Sequence, residues 1–255
     1  MQVPGAVLDS ETLVAQDVRI ETTAGGLNAY YVRARGLEQA PSIIVIHEGF
    51  GLVEHIRDVC RRFANVGYNA IAPDLYTRIG TPDAADLPSV LATVNGIRDA
   101  DVVADLEGCA TFARSRPEST GRVGALGFCS GGRQSLLFAC RTDALDGAVS
   151  CWGGSIRTAD ATHRTTESRP VPVIDLLPHL GCPLLFVRGD EDQHPSAEDA
   201  AEVRMRLISE GKVGEVREFK GAGHAFFADY RPTYREDAAF RLWPVLLDFF
   251  DRNLR

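Results

Sequence analysis

Apolar and polar residues alternate along the N-terminal part of the chain, as Val18, Ile20 and Thr22 and then as Leu27, Ala29 and Tyr31, with Ala24-Gly25-Gly26 between the two runs. Period-two alternation places one set of side chains on one face of a strand, and a glycine pair between two such runs predicts a β-hairpin. The pattern then changes. Residues 42–47 (Ser-Ile-Ile-Val-Ile-His) are a continuous β-branched run, which predicts a strand covered on both faces. Residues 54–64 follow with helical spacing and Gly67 is placed to end them. Residues 69–72 read as a short buried strand stopped by Pro73, and residues 84–97 and 99–113 as helices. The alternation of types continues to the C-terminus: strands at 121–126, 148–151, 183–187 and 214–219, and helices at 131–140, 197–210 and 236–250.

Strands separated by helices of ten or more residues require crossover connections, and hence a mostly parallel sheet with helices on both faces. The predicted fold class is α/β. Residues 1–255 contain no internal repeat and no Pro/Gly/Ser-rich linker, so a single domain is expected. Residues 153–172 are long, polar and irregular, and are expected to form a mobile flap near the site.

Composition adds mainly exclusions. With 45% hydrophobic and 24% charged residues the chain can bury a full core. A net charge of −8 without clustered Lys or Arg argues against nucleic-acid binding. No uncharged apolar run reaches membrane-spanning length, and the N-terminus lacks the pattern of a secretory signal. The six cysteines are scattered singly without C-x-x-C spacing, as in a reduced cytoplasmic protein. His47 and His55 are the nearest candidate metal pair and lack ligand spacing, so no metal or other cofactor is expected.

The most specific chemistry lies at Gly127-Phe-Cys129-Ser-Gly131, between a predicted strand and a predicted helix. A nucleophile elbow requires that context, with small residues on either side of a sharp turn. Cys129 has glycines two before and two after it, whereas a frame centred on Ser130 would put Phe128 at a flank. Cys129 is therefore the candidate nucleophile and Ser130 a candidate oxyanion donor through its backbone N–H. An inert buried cysteine beside a glycine turn would share the pentapeptide. The partners downstream favour chemistry: Asp192, in Gly189-Asp-Glu-Asp192, and His224, in Gly221-Ala-Gly-His224, follow successive predicted strands in the order nucleophile, acid, histidine. Asp190 is a rival for the acid.

With His47-Glu48-Gly-Phe-Gly51, Pro73-Asp74-Leu-Tyr-Thr-Arg78, His224-Ala-Phe226 and the closing helix added, the chain resembles the dienelactone hydrolase family of α/β-hydrolases over nearly its whole length. The resemblance implies a Cys129-Asp192-His224 triad and a Glu48 beside the thiol that helps deprotonate it when substrate arrives. It implies an oxyanion hole from the N–H groups of Gly49 and Ser130, and Arg78 as a carboxylate-binding residue that meets Glu48. Phe50, Trp152 and Phe226 are further candidates for substrate contact. The expected activity is cleavage of a small lactone or carboxylic ester through a thioester, by a monomer or homodimer without a cofactor. One departure stands out: the family's second carboxylate-binding arginine, four residues after the histidine, is here Ala228. Arg231, or Arg157, Arg164 or Arg169, would have to replace it, or the substrate lacks that contact. The rival class is a non-catalytic small-molecule-binding or regulatory protein that keeps the fold.

Overall fold

The computed structural model describes residues 3–255. The elements follow the predicted order: β1 (Leu13–Thr22), β2 (Gly25–Ala34), β3 (Ala40–Ile46), α1 (Glu54–Asn65), β4 (Asn69–Pro73), α2 (Leu87–Gly96), α3 (Asp99–Ser115), β5 (Ser119–Phe128), α4 (Ser130–Ala139), β6 (Gly147–Cys151), β7 (Leu184–Gly189), α5 (Ala197–Ser209), β8 (Gly214–Phe219) and α6 (Glu236–Leu254). Two 3-10 helices, Ser10–Thr12 and Val173–His179, have no hydrophobic period long enough to reveal them in the sequence.

All eight strands join one sheet in the order β1-β2-β4-β3-β5-β6-β7-β8. The predicted hairpin is present, with Leu13 opposite Ala34 and Thr22 opposite Gly25, and β2 runs antiparallel to β4. Every later neighbour is parallel, so the C-terminal ends of β3 to β8 share one edge.

Period-two geometry explains why the central strands are apolar throughout. Ile44 and Ile46 of β3 and Leu184 and Phe186 of β7 enter the core beneath α3, α4 and α5. Their neighbours Ile43, Val45, Leu185 and Val187 enter the opposite core beneath α1 and α6. In α6 the buried residues Ala238, Ala239, Leu242, Trp243, Leu246, Phe249, Phe250 and Leu254 recur at helical spacing and form one stripe. Phe63 of α1 meets that stripe, with its ring 4.8 Å from Trp243 and 5.9 Å from Phe250. Among the described residues no helix is long and apolar enough to cross a membrane.

Residues 153–172 do not form the free flap expected from their polarity. Arg169 is 2% exposed, and its guanidinium donates to Ala159 O at 2.7 Å, to Asn95 Oδ1 at 3.1 Å and to Val94 O. Asp99 N–H donates to Ser168 O at 2.9 Å and Ser168 Oγ donates to Gly96 O at 3.1 Å. These bonds stitch the segment to the α2–α3 junction. The polarity that suggested mobility supplies the stitching.

Phe63→Ala removes the ring shared by α1 and α6, and a cavity of that kind costs about 3–5 kcal/mol. Denaturant unfolding is expected to show that loss. A change below about 1 kcal/mol would mean that the two helices do not depend on this contact.

Candidate active site

The site is assembled at the C-terminal edge, where the loops leaving successive parallel strands converge. Glu48 follows β3, Tyr76 follows β4, Cys129 follows β5, Asp192 follows β7 and His224 follows β8.

Cys129 has φ 55° and ψ −118° at the junction of β5 and α4. That backbone conformation is strained for a residue with a side chain and persists only where the surroundings hold it. Here the surroundings are glycine. A Cβ on Gly127 would lie 1.8 Å from Gly131 O, and one on Gly131 would lie 2.3 Å from Ile46 O. The two glycines flanking Cys129 therefore let the turn close on itself and on the end of β3. Cys129 N–H donates to Cys151 O at 3.0 Å, which ties the turn to β6. Ser130 begins α4, and a first helical N–H has no carbonyl one turn earlier to bond. Gly49 N–H likewise has no backbone acceptor among the described residues.

Of the two candidate acids, Asp192 meets the histidine: His224 Nδ1 lies 2.9 Å from Asp192 Oδ2. Asp192 is 3% exposed, and its Oδ1 accepts from His194 N–H at 2.8 Å. Arg188, also buried, donates to Asp192 O at 2.7 Å. Asp190 points elsewhere and accepts from Gly221 N–H at 2.8 Å. Burial by itself pushes the His224 imidazole down. The hydrogen bond to Asp192, then the neighbouring Cys129 thiol, outweigh burial and raise it from 6.5 to about 10.

Glu48 is 1% exposed, and Tyr230 O–H donates to its Oε2 at 2.9 Å. Arg231 Nη1 lies 3.7 Å from Oε1, an oxygen that accepts no hydrogen bond among the described residues. The loop that carries Tyr230 and Arg231 is anchored by Asp229, whose carboxylate takes His55 Nδ1 at 2.7 Å and Arg62 Nη2 at 2.7 Å. Burial alone would raise Asp229, but His55 and then Arg62 hold it down at about 2. Sequence reasoning missed Tyr230, because a tyrosine in a polar loop carries no spacing signal. His55, set aside as an accidental metal candidate, belongs to this anchor.

Of the other candidates, some lie away from the cluster and some meet it. Arg78 does not meet Glu48; its Nη2 donates to Asp105 Oδ2 at 2.6 Å and its Nη1 to Gly26 O at 3.4 Å. The loop after β4 turns it toward the hairpin, where a buried carboxylate claims it. Phe226 is fully buried, with its ring 4.8 Å from Trp152 and 5.3 Å from Phe219, so it supports the His224 loop from within the core. Trp152 is 1% exposed and packs on Phe128 as well. Phe50 remains half-buried, with Arg231 5.2 Å over its ring. Arg157 is paired with Asp199 and Glu202, and Arg164 with Asp175. Of the arginines considered as replacements at the Ala228 position, Arg231 is the one within 4 Å of Glu48.

A mostly parallel sheet, a strained strand-to-helix turn bearing a cysteine, and a buried aspartate on a histidine define an enzyme of the α/β-hydrolase fold. Residues 27–254 match the dienelactone hydrolase family, and the chain belongs to it. It is 37% identical over 234 residues to a Salmonella typhimurium protein named "Putative carboxymethylenebutenolidase", covering 91% of this chain and 84% of that one. It is 29% identical over 235 residues to a Bradyrhizobium protein named "Probable 2-oxo-3-(5-oxofuran-2-ylidene)propanoate lactonase", covering 92% of each. The crystal structure titled as a "Putative Dienelactone Hydrolase" from Klebsiella pneumoniae superposes with a TM-score of 0.87 at 32% identity, covering 94% of this chain and 99% of that one. The chain is thus a hydrolase of the lactone and ester class.

Because the folded state binds the His224 proton more tightly than the unfolded chain does, the pair with Asp192 stabilises the fold fully below pH 6.5 and fades as pH rises through about 10. Asp192→Asn is expected to bring the His224 titration, followed by NMR, down by about 1–3 units. An unchanged midpoint would show that Asp192 does not hold the proton.

Proposed function

We propose that Cys129 is the nucleophile of a two-step lactone or ester hydrolysis, with His224 as general acid–base and Asp192 as its orienting acid. The observation that carries the reading is the committed histidine: Nδ1 bonds Asp192 at 2.9 Å, which leaves Nε2 to serve Cys129 at the strand-to-helix turn. The Cys129 thiol passes its proton to Glu48, and the thiolate attacks the substrate carbonyl carbon, forming the C–S bond as the carbonyl electron pair moves onto oxygen. The oxyanion is held by Gly49 N–H and Ser130 N–H while the C–O bond breaks, and the departing oxygen takes a proton from His224. His224 then removes a proton from water, which attacks the thioester. The C–S bond breaks, the acid departs, and the thiolate takes its proton back from Glu48.

Glu48 and Arg231 extend this reading to substrate choice. Oε1 of Glu48 is buried and accepts no hydrogen bond, and it is ion-paired at 3.7 Å with a guanidinium that a substrate carboxylate could engage in its place. Arg231 would then do the work that Ala228 cannot, and Glu48, relieved of its partner, would take the thiol proton. A lactone carrying a carboxylate fits this pair, and the name of the Bradyrhizobium relative supports that substrate class. All six cysteines are free, which supports a reduced, cytoplasmic setting.

The test is turnover of p-nitrophenyl acetate, cis- and trans-dienelactone and a neutral lactone by the wild type and by Cys129→Ala. Loss of turnover by at least about 1,000-fold in the variant is expected. Arg231→Ala is expected to weaken hydrolysis of the carboxylate-bearing lactones by about 10-fold or more and to spare p-nitrophenyl acetate. Equal rates for wild type and Cys129→Ala on every substrate would leave the non-catalytic binding protein as the better reading.

A further inference from the structure

We infer that His47 is a positioning residue for the oxyanion hole: held in one neutral tautomer, it fixes the peptide that carries the Gly49 N–H. The inference rests on the reading of that N–H as an oxyanion donor, and it concerns a residue that the proposed mechanism leaves unused.

The tautomer follows from the two partners. Leu75 N–H donates to His47 Nε2 at 3.2 Å, which requires a lone pair on that nitrogen. Nδ1 lies 2.6 Å from Glu48 O, a carbonyl that can only accept, so Nδ1 carries the proton. Both neighbours select the same neutral imidazole. Burial acts in the same direction, since the ring is 1% exposed and loss of solvent pushes its protonation down. The Tyr76 ring packs edge-on at 4.8 Å, and its hydroxyl donates to Gly49 O at 3.1 Å.

The consequence follows from the planarity of one peptide. Glu48 C=O and Gly49 N–H are the two ends of a single trans unit and point in opposite directions. The oxygen end is held by two donors, His47 Nδ1–H and, at 3.2 Å, Gly51 N–H. Fixing the oxygen fixes the direction of the hydrogen. Gly49 N–H, which has no backbone acceptor among the described residues, is thereby aimed by a side chain that never touches the substrate. Gly49 faces α2 closely, since a Cβ there would lie 3.1 Å from both Val90 and Val94. Through Leu75, the clamp refers the loop after β3 to the loop after β4. Preorganised donors of this kind stabilise a developing oxyanion only when they already point at it.

Three variants separate this role from simple packing. His47→Phe keeps the ring against Tyr76 and removes both hydrogen bonds. His47→Asn puts an amide N–H near the Nδ1 position, and His47→Gln reaches toward the Nε2 position instead. With p-nitrophenyl acetate, His47→Phe is expected to lower kcat by about 10- to 100-fold with KM within about threefold. Alkylation of Cys129 by iodoacetamide, a displacement that uses no oxyanion hole, should stay within about threefold. His47→Asn should recover most of kcat and His47→Gln should not. If His47→Phe fails to fold, the comparison of Asn with Gln carries the test. In the wild type, NMR of the ring nitrogens should show the Nδ1–H tautomer at neutral pH, a readout independent of turnover. An Nε2–H tautomer, equal recovery by Asn and Gln, or a kcat loss matched by an equal loss of alkylation would each overturn the inference. Undiminished hydrolysis by Cys129→Ala would instead overturn the reading of the site and leave the tautomer result to stand alone.

Discussion

At Cys129 the chain leaves the central strand β5 and enters α4 with φ 55°, and the conformation holds only because three backbones meet there without side chains between them. Gly127 lies against Gly131, Gly131 against the end of β3, and Gly132 against Cys151 O, where an added Cβ would come within 2.6 Å. A strained residue of this kind costs on the order of 1–3 kcal/mol and persists where its surroundings overdetermine it. The surroundings here are β3 and β6, the neighbours of β5 on either side, packed from both faces by apolar side chains. The core therefore sets the turn, and the turn sets where a thiol stands relative to the loops after β3, β7 and β8.

Charges are arranged in two tiers around that turn. Asp192 and Glu48 are buried, and each is held by a partner from its own or a neighbouring loop: His224 for one, Tyr230 with Arg231 for the other. Behind them, His55, Arg62 and Asp229 form an ion-paired anchor that fixes the Tyr230–Arg231 segment to α1. Buried charges are stable only when paired and hydrogen-bonded. The anchor thus determines where the Arg231 guanidinium can stand, and with it the environment of Glu48.

Much of this was legible in the sequence. The strands and helices appeared because period two and period 3.6 are written directly into the apolar positions, and the elbow appeared because only glycine can occupy Gly127 and Gly131. Asp192 and His224 were visible as loop residues at strand ends. What escaped had no local signature. Arg78 lies in a matching motif, yet the distant Asp105 takes its guanidinium. Phe226 lies beside His224, yet the turn at Ala225, with φ 58°, is followed by a ring buried in the core. Tyr230 and His55 take part through contacts across 182 and 174 residues of chain. The stitching of residues 153–172 by Arg169 was hidden for the same reason, since a buried arginine bonded to carbonyls reads in sequence as a solvated one.

The central claim is that Cys129 becomes acylated during turnover. Its most direct test is to quench the wild-type enzyme in acid during steady-state hydrolysis of p-nitrophenyl acetate and to map its peptides by mass spectrometry. The account predicts an acetyl group on Cys129, carried as a thioester that hydroxylamine removes. Continued hydrolysis with no adduct on that cysteine, or with the acetyl group on Ser130, would contradict it.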